Sequence, residues 1–320
     1  MDSSKKKLRV LVTGIAGFIG SNLADRLLAE GHTVVGVDNL AYGRREQVPA
    51  GVEFHELDIR SQEIYPLFEG VDRVFHLAAK NCLPDCQADP VATMDINVTG
   101  TANVFEAARR VGVPRTMYAE SAAVEEGDER LKGFYAISKL ADGRVAEGYR
   151  AAFGMDIVGL RYFNLYGPRQ DYRRKSPPVM SKLIITFLKG GQPLGRELGA
   201  ERPVIFEGDE DNKRDFVYVD DVNDFHMFCL KDDRVQNKMF RLGSGKSTSV
   251  KEVYETIVRL MEVKPDPITK SRPAGDPPVA TLADWSEAKA LGWKPKTSLE
   301  DGLRAQIAWM REELKKGNIK

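Results

Sequence analysis

Three glycines near the N-terminus constrain the fold of this chain more than any other feature. Gly14, Gly17 and Gly20 follow one another in VLVTGIAGFIG, between a predicted strand and a predicted helix. At this spacing the first glycine permits a tight turn, the second lets the backbone approach a pyrophosphate, and the third lets helix and strand pack closely. Phosphates bind at the start of such a helix because its first N–H groups are unpaired and the helix dipole is positive there. The motif therefore predicts an alternating α/β fold with a dinucleotide site.

Strand-like and helix-like segments alternate along the first half of the chain. Apolar and β-branched runs predict strands, and helical spacing of apolar residues predicts helices. The predicted strands are 8–12, 33–37, 71–77, 116–119 and 157–160, and the predicted helices are 19–29, 97–111 and 136–153. Repeated alternation predicts a Rossmann-type, doubly wound parallel sheet with helices on both faces. Its ligand is expected at the carboxyl ends of the strands.

The alternation ends after Asn164. The segments that follow are rich in proline, glycine and charge and are interpreted as long loops, which are often binding elements. These loops are 166–178, 190–203 and 207–216, with one predicted helix at 179–188 between them. We expect residues 1–163 to form the dinucleotide-binding domain, with its sheet completed by later segments near 215–245. Residues 164–320 are expected to form mainly a smaller C-terminal α/β domain that binds substrate.

The charge balance and the cysteines exclude several classes of protein. The chain has 320 residues with 47 basic and 47 acidic side chains, so it lacks the basic excess of proteins that bind nucleic acid or anionic membranes. Neither a signal peptide nor a membrane span is recognisable. Cys82, Cys86 and Cys229 are expected to be reduced thiols, since no second cysteine pair or nearby histidine completes a zinc site. We therefore expect a cytoplasmic protein that binds no nucleic acid, membrane or metal.

Two acidic residues, Asp38 and Asp58, bear on the choice of cofactor. Asp38 ends the second predicted strand, where a carboxylate bonds the hydroxyls of the adenine ribose and repels a 2′-phosphate, which favours NAD over NADP. Arg44 and Arg45 follow in the next loop and could reach a phosphate instead. Asp58, before Ile59, could hold the adenine amino group or be an ordinary loop carboxylate.

Acid–base chemistry is indicated by FYAISK and by a serine upstream of it. Tyr135 and Lys139 stand four residues apart on a predicted helix and hence on one face. A lysine ammonium beside a phenol favours the phenolate, which is a useful base near neutral pH. Ser121 ends a predicted strand, where its hydroxyl could bond the same substrate oxygen or act as an ordinary helix cap. Pairs like this are common on helix surfaces, so their weight comes from the glycine motif on the same chain.

Taken together, the motifs resemble the extended short-chain dehydrogenase/reductase superfamily of NAD-dependent epimerases and dehydratases, and most of all its UDP-glucose 4-epimerase group. The resemblance covers nearly the whole chain. It is carried by TGIAGFIG, the sequence DNL at 38–40, Asp58-Ile59, HLAA at 76–79, INVTGTANVFEAA at 96–108, YxxxK at 135–139, RYFNLYGPRQ at 161–170 and RDFVYVDDV at 214–222. Jointly these motifs are specific for the superfamily and less specific for the reaction.

The resemblance implies a role for each matching residue. The positions expected to bind NAD are Gly14, Gly17, Phe18, Ile19 and Gly20 at the pyrophosphate, Asp38 and Asn39 at the ribose, Asp58 and Ile59 at the adenine, Leu77, Ala78 and Ala79 along the middle of the cofactor, and Asn97, Tyr135 and Lys139 beyond it. The asparagine that Asn97 matches is usually structural or holds a water in relatives. Ser121, Tyr135 and Lys139 match the catalytic triad.

The substrate side is implied by Asn164, Arg214 and Arg272, which fall where relatives hold the diphosphate of a sugar nucleotide. Arginine suits this task because its planar guanidinium binds phosphate oxygens in pairs. Residues 161–175 also contain five basic side chains and one acidic one, so a neutral protein can still present a local positive site.

The residues after Ser121 select the reaction. Dehydrating relatives carry an Asp-Glu pair there and decarboxylating relatives a glutamate, whereas this chain has Ala122 and Ala123. Elimination then lacks its proton carriers, which leaves oxidation at carbon 4 followed by return of the hydride. Together with these residues, the resemblance implies an isomerase of carbohydrate metabolism and polysaccharide biosynthesis. It would be an NAD-dependent 4-epimerase of UDP-hexoses or UDP-N-acetylhexosamines with a transient 4-keto intermediate.

Other hypotheses stay open at this point. A nucleotide-sugar 4-reductase or dehydrogenase shares the triad, and a noncatalytic NAD-binding regulator shares the cofactor site. Glu125 and Glu126 replace the Tyr-Gly expected in relatives, which gives the sugar pocket a different wall. The helices near 97–112 and 135–153 pair subunits in relatives, so a homodimer is expected by analogy, although their apolar positions could equally be core.

Overall fold

The computed structural model describes residues 7–125, 133–190, 203–264, 266–271 and 280–319. The chain divides into two compact units. The first consists of Met1–Tyr162, Val222–Leu242 and Ser286–Trp293, and the second of Phe163–Asp221, Gly243–Trp285 and Lys294–Lys320.

The described residues form the following regular elements. The strands are β1 (Arg9–Thr13), β2 (Thr33–Asp38), β3 (Val52–Glu56), β4 (Arg73–His76), β5 (Arg115–Ser121), β6 (Ile157–Tyr162), β7 (Asn164–Tyr166), β8 (Val204–Phe206), β9 (Lys213–Tyr218), β10 (Met239–Leu242), β11 (Ser247–Ser249) and β12 (Ile268–Lys270). The helices are α1 (Phe18–Ala29), α2 (Leu83–Ala88), α3 (Pro90–Met94), α4 (Gly100–Val111), α5 (Phe134–Phe153), α6 (Val179–Leu188), α7 (Val219–Lys231), α8 (Val250–Met261), α9 (Ser286–Ala290) and α10 (Leu299–Lys315).

The first unit is built on a parallel sheet of seven strands. Their order is β10-β6-β5-β4-β1-β2-β3, and every neighbouring pair is parallel. The direction of winding reverses between β1 and β4, and such a switch point is where ligands of open α/β sheets bind. The Rossmann-type fold predicted from the alternation is therefore confirmed, and the β1–α1 glycine turn lies beside its switch point.

Burial explains why these segments form central strands. Val10, Leu11 and Val12 on β1 are fully buried in succession, as expected for a strand covered by helices on both faces. On α1, Leu23 and Leu27 are fully buried, four residues apart, and thus provide the apolar face of that helix.

A late part of the chain returns to the first unit. Strand β10 pairs with β6, with Phe240 opposite Leu160, and extends the sheet. The guanidinium of Arg115, at the start of β5, contacts the Asp156 carboxylate at 2.6 Å and the carbonyl oxygens of Cys229 and Asp232 at 3.0 and 3.1 Å. This one buried side chain thus ties the sheet to the segment that follows α7.

The second unit combines small sheets with three longer helices. β9 lies between β7, which is parallel to it, and β11, which is antiparallel, while β8 and β12 form a separate parallel pair. Helices α6, α8 and α10 supply most of an apolar core that contains Ile184, Ile257, Leu303 and Met310. The helix predicted at 179–188 matches α6.

The described residues contain neither a membrane-spanning helix nor a cluster of metal ligands. None of the helices in the described ranges is long and apolar enough to span a bilayer. The same residues contain no group of three or more histidine, cysteine or acidic side chains arranged to hold a metal ion. The three cysteines are buried thiols.

Candidate active site

The turn between β1 and α1 accepts only glycine at two positions. Gly14 has a φ of +72°, and a Cβ atom built on it would lie 2.8 Å from the backbone nitrogen of Ala78. A Cβ atom on Gly20 would lie 2.2 Å from the carbonyl oxygen of Gly14. The turn and the close approach of α1 to β1 thus both depend on the missing side chains.

The start of α1 fits a diphosphate. Gly17 precedes the helix without a side-chain capping bond, and the first helical turn contains no acidic residue. The backbone N–H groups of Phe18 and Ile19 belong to that turn, where helix geometry provides no partner for them within the helix. An anionic diphosphate at this point gains both hydrogen bonds and the favourable end of the helix dipole.

Asp38 is held at the end of β2 by backbone donors. Its carboxylate accepts hydrogen bonds from the N–H groups of Ala16, at 3.0 Å, and Leu40, at 2.8 Å. Burial raises the pKa of Asp38, and these two N–H groups oppose the rise. Arg44 donates to Glu46 at 2.8 Å, and the Arg45 guanidinium stacks 4.3 Å above the ring of Phe54. Both arginines are therefore engaged with protein groups, and the carboxylate beside them suits the ribose hydroxyls of NAD.

Asp58 has a partner that the sequence analysis did not identify. Its carboxylate accepts from Asn39 Nδ2 at 3.0 Å and from two side-chain nitrogens of Arg60 at 2.7 and 2.9 Å. The hydrogen bonds from Arg60 are the main reason that the pKa of Asp58 lies far below its usual range. Ile59 is buried beside Gly100. The adenine contact expected of Asp58 and Ile59 stays a prediction.

A buried chain of polar groups holds the carboxyl end of β4. Thr13 Oγ1 accepts from the N–H groups of Leu77 and Ala78, both at 3.2 Å, so its hydrogen is directed to Nδ1 of His76 at 2.8 Å. The imidazole then carries its proton on Nε2 and donates to Thr101 Oγ1 at 2.9 Å. Burial, reinforced by the charge of Lys139, lowers the pKa of His76 to about 3. The ring is therefore neutral and purely structural, and it sets the backbone at residues 77–78, where the cofactor is expected.

Asn97 lies in a single π-helical turn (Asp95–Thr99), a distortion that is frequent at functional sites. Its Oδ1 accepts from Lys80 N at 2.8 Å, and its Nδ2 donates to Lys80 O at 3.0 Å and to Ser138 Oγ at 2.9 Å. Both amide hydrogens are thus used within the protein. Asn97 links the segment after β4 to Ser138 of α5, three residues after Tyr135.

Lys139 is buried between its own helix and β5. Its Nζ donates to the carbonyl oxygen of Ala119 at 3.2 Å and to Asp142 Oδ2 at 2.9 Å. Burial lowers the pKa of Lys139, but the carboxylate of Asp142 and the phenol of Tyr135 outweigh it, so the pKa is raised overall. A charged ammonium therefore stands one helical turn after Tyr135.

Ser121 ends β5, two residues after the carbonyl that Lys139 bonds. Its Oγ accepts from the N–H of Ala123 at 3.2 Å and so caps a 3₁₀ turn (Ala122–Glu125). The hydroxyl hydrogen is not used by this contact and can be donated to a substrate oxygen. The capping and substrate roles considered from the sequence are therefore compatible.

Glu125 is bound by two arginines on neighbouring strands. Arg161 on β6 pairs with both Glu120 and Glu125, and Arg241 on β10 donates to Glu125 at 2.7 Å. The charge of Arg161 is therefore neutralised within the first unit. Arg161 thus does not add to the positive site expected of residues 161–175. Its acidic partners, Glu120 on β5 and Glu125 in the 3₁₀ turn, lie outside that range of the sequence.

The second unit places two of the predicted substrate residues on adjacent strands. Asn164 on β7 lies opposite Phe216 on β9 and donates to the carbonyl oxygen of Asp215 at 3.3 Å. Arg214, also on β9, is half-buried and donates to Asn212 Oδ1 at 2.6 Å. Arg272 lies outside the described residues.

The chain is similar to known proteins along most of its length. A family model described as the NAD dependent epimerase/dehydratase family matches residues 10–243. The chain is similar to the UDP-glucose 4-epimerase of Mycolicibacterium smegmatis, with 30% identity over 324 residues that cover 96% of this chain and 99% of the relative.

Two solved structures are similar over almost the whole chain. One is a UDP-glucose 4-epimerase from Thermus thermophilus in complex with NAD, with a TM-score of 0.83 and 32% identity over 95% of this chain and 99% of the other. The second is a UDP-N-acetylglucosamine 4-epimerase from Methanobrevibacter ruminantium in complex with UDP-N-acetylmuramic acid, with a TM-score of 0.86 and 27% identity over 96% and 99% of the two chains.

Proposed function

This chain belongs to the NAD dependent epimerase/dehydratase family, and we propose that it inverts carbon 4 of a UDP-hexose or a UDP-N-acetylhexosamine. The family membership confirms the resemblance inferred from the motifs, and NAD is the cofactor. The similar proteins act on UDP-glucose and UDP-N-acetylglucosamine, which makes both sugars the first substrates to test.

The first unit offers a fitting site for NAD. The glycine turn leaves room where a Cβ atom would collide, the start of α1 suits the pyrophosphate, and Asp38 suits the ribose. When bound, NAD supplies a reversible two-electron oxidation at carbon 4 of the sugar.

The chain's own residues supply the proton chemistry. Tyr135 takes the proton of the 4-hydroxyl group as a general base and returns it when the opposite face of the 4-keto sugar is reduced. Lys139 lies four residues later on the same face of the helix and places its positive charge beside the reacting group. Ser121 donates its hydroxyl hydrogen to the same substrate oxygen and orients it throughout.

One observation carries this proposal. Lys139 Nζ donates to the carbonyl oxygen of Ala119 on β5, two residues before Ser121. Tyr135 lies one turn before Lys139 on the same helix. The next residues after Ser121 are Ala122 and Ala123, so the acid and base needed for elimination are missing from these positions. Oxidation and return of the hydride remain.

The substrate diphosphate is assigned to the second unit. Asn164 and Arg214 lie on adjacent strands, and Arg272 completes the set implied by the resemblance. Arg214 offers the paired donors that a phosphate group accepts.

The decisive experiment incubates the purified protein with UDP-, GDP-, CDP- and dTDP-sugars and follows inversion at carbon 4 by NMR. Inversion of a UDP-sugar without net production or consumption of NADH is expected.

Tyr135→Phe should lower kcat by roughly 10²–10⁴-fold while the protein still binds NAD, since only the base is removed. Failure to invert any sugar by NAD-loaded protein contradicts the proposal, and net NADH turnover replaces it with a reductase or dehydrogenase. Unchanged turnover in Tyr135→Phe removes the proposed base.

We further propose that the protein is a homodimer in the cytoplasm that serves polysaccharide biosynthesis. Helices α4 and α5 expose large apolar side chains, with Val111 at 43%, Leu140 at 44% and Phe153 at 55% exposure. A second copy that pairs through these helices would cover them. Analytical ultracentrifugation should give twice the mass of one chain for the wild type and the mass of one chain for Leu140→Glu. A wild type that sediments as a monomer overturns the proposed dimer.

Cell fractionation tests whether the protein is found in the cytoplasm.

A further inference from the structure

A second buried charge lies behind the lysine of the site. Asp142 is three residues after Lys139 on α5, and its side chain is only 1% exposed. Its Oδ2 lies 2.9 Å from Lys139 Nζ, whose own side chain is 4% exposed. The ammonium one helical turn after Tyr135 is therefore one half of an ion pair enclosed in the protein.

Stability alone does not account for this pair. Removing two charges from water carries a large desolvation penalty, and buried ion pairs are often no more stabilising than apolar residues of the same volume. What the carboxylate does change is the charge of the site. With Asp142 ionised, the pair is neutral in sum, and any group nearby experiences a weaker positive field than Lys139 would produce alone.

We propose that Asp142 is a positioning residue that holds Lys139 and, by balancing its charge, sets the pH range over which Tyr135 and Lys139 work together. The proposal rests on the function proposed above, but its main test needs no substrate. Asp142 itself is not placed in contact with substrate or cofactor.

The other groups that face Lys139 do not replace Asp142. Tyr135 cannot take the place of Asp142, because its own proton loss is what Asp142 is proposed to control. Glu120 on β5 also favours the charged lysine, but it is paired with Arg161. His76 on β4 is neutral, because burial lowers its pKa to about 3.

Thr101 on α4 contributes a hydroxyl. Burial raises the pKa of Asp142, and the charge of Lys139 together with the Thr101 hydroxyl opposes that rise. Of the groups that act on Lys139, Asp142 is therefore the anion in direct contact with it.

The sign of the effect follows from Coulomb's law. A nearby anion makes proton loss harder for every group around it, so its removal makes proton loss easier for both Tyr135 and Lys139. Because the two interact, their titrations belong to the pair, and both steps should move in the same direction. Asp142→Asn should therefore shift both to lower pH, by at least about one unit for charges this close in a buried site.

The test uses the full chain with its NAD. Tyrosinate is followed by ultraviolet difference absorbance in Asp142→Asn and in the wild type, each minus the same protein carrying Tyr135→Phe, so that only Tyr135 is observed. We expect the signal to appear at least about one pH unit lower in Asp142→Asn. Both limbs of the kcat profile should move with it. Glu147→Gln, an exposed carboxylate on the same helix that is paired with Arg144, should leave the curve in place.

An Asp142→Asn curve that coincides with the wild type overturns the proposal. If Asp142→Asn does not fold, NMR of the wild type labelled with ¹³C-carboxyl aspartate decides: an ionised Asp142 carboxyl at the pH of activity supports the charge balance, and a protonated one overturns it. Failure of the epimerase assignment is distinguishable, because a shifted tyrosinate curve in a protein that inverts no sugar removes only the function.

Discussion

At Gly20, helix α1 passes so close to the turn after β1 that no side-chain atom fits. A methyl group there would lie 2.2 Å from the Gly14 carbonyl oxygen, and that oxygen belongs to backbone that cannot give way alone. The same backbone carries the N–H groups assigned to the pyrophosphate. Packing and cofactor binding thus depend on one missing side chain.

Gly20→Ala should lower the free energy of unfolding by about 1–3 kcal/mol, as overpacking does, and should weaken retention of NAD. Gly148→Ala is the matched control, since Gly148 lies in the interior of α5 with open space where its Cβ would stand. It should raise stability by about 0.5–1 kcal/mol through helix propensity alone. Denaturant unfolding and NAD content after gel filtration measure both. Equal stability of Gly20→Ala and the wild type contradicts the close approach.

Two of the three buried histidines, His76 and His226, have strongly lowered pKa values that make stability depend on pH. Burial lowers the pKa of His226 to about 3 from its ordinary 6.5, and His76 is shifted to a similar value, chiefly by burial. At a pH between the unfolded value of 6.5 and the folded value of about 3, the unfolded chain binds more protons than the folded one. The free energy of unfolding therefore falls as the pH falls from 6.5 toward 3.

Each histidine should contribute a slope of about 1.4 kcal/mol per pH unit within this window. His226→Gln should lower the slope by that amount, because glutamine does not titrate, even where the variant is less stable at neutral pH. Urea unfolding at several pH values measures the slope. An unchanged slope in His226→Gln would show that His226 is not held neutral by the fold.

Helix α8 illustrates how an element is delimited. Ser249 Oγ accepts from the N–H of Glu252 at 3.0 Å, and Glu252 Oε2 accepts from the N–H of Ser249 at 2.9 Å. This reciprocal capping box satisfies two of the backbone groups that a helix start leaves unpaired. Its pattern, Ser-x-x-Glu before an apolar run, is visible in the sequence, although the sequence analysis did not use it.

Ser249→Ala should destabilise the protein by about 1 kcal/mol, the usual cost of losing an N-cap. Thr256→Ala is the control, because it removes a hydroxyl from the interior of the same helix, where Thr256 bonds only the preceding turn at Glu252 O. Its effect should stay within about 0.5 kcal/mol. Thermal unfolding measures the loss of stability in each variant. Equal losses in Ser249→Ala and Thr256→Ala would show that the capping bond does not stabilise α8.

Over the whole molecule, distant segments of the chain are joined by a few buried polar side chains. Arg115 is 4% exposed and bonds Asp156, the Cys229 and Asp232 carbonyl oxygens, and Asp233. It thus holds the chain that returns after α7 against the start of β5. The Asp156 carboxylate is itself only 9% exposed.

Arg115→Met should cost about 3–5 kcal/mol, since it leaves the Asp156 carboxylate buried without its partner. Arg234→Met removes a 59% exposed arginine paired with Asp232 in the same segment and should cost less than about 1 kcal/mol. Denaturant unfolding distinguishes them. Similar losses in the two variants would mean that the segment is held by other contacts.

The local patterns sufficed for much of the first unit. The predicted strand 33–37 corresponds to β2, and the predicted helix 136–153 lies within α5, because apolar periodicity and glycine signals are local. β3 carries no such signal, since it reads VEFHE and none of its residues is fully buried. The sequence predicts β10 only as part of a late segment near 215–245, because its pairing with β6 joins residues far apart in sequence.

Local patterns therefore indicate the NAD site and the Tyr135–Lys139 pair, because the glycine motif lies in one turn and the pair on one helix. The alternation of such local segments indicates the parallel α/β sheet. Partnerships such as Glu125 with Arg241 emerge only in the folded chain, since they join residues 116 positions apart. The charge of a site depends on such partners as much as on its own residues. For this reason the sequence predicts a catalytic role for Lys139, and only the three-dimensional arrangement brings the Asp142 carboxylate to within 2.9 Å of its ammonium.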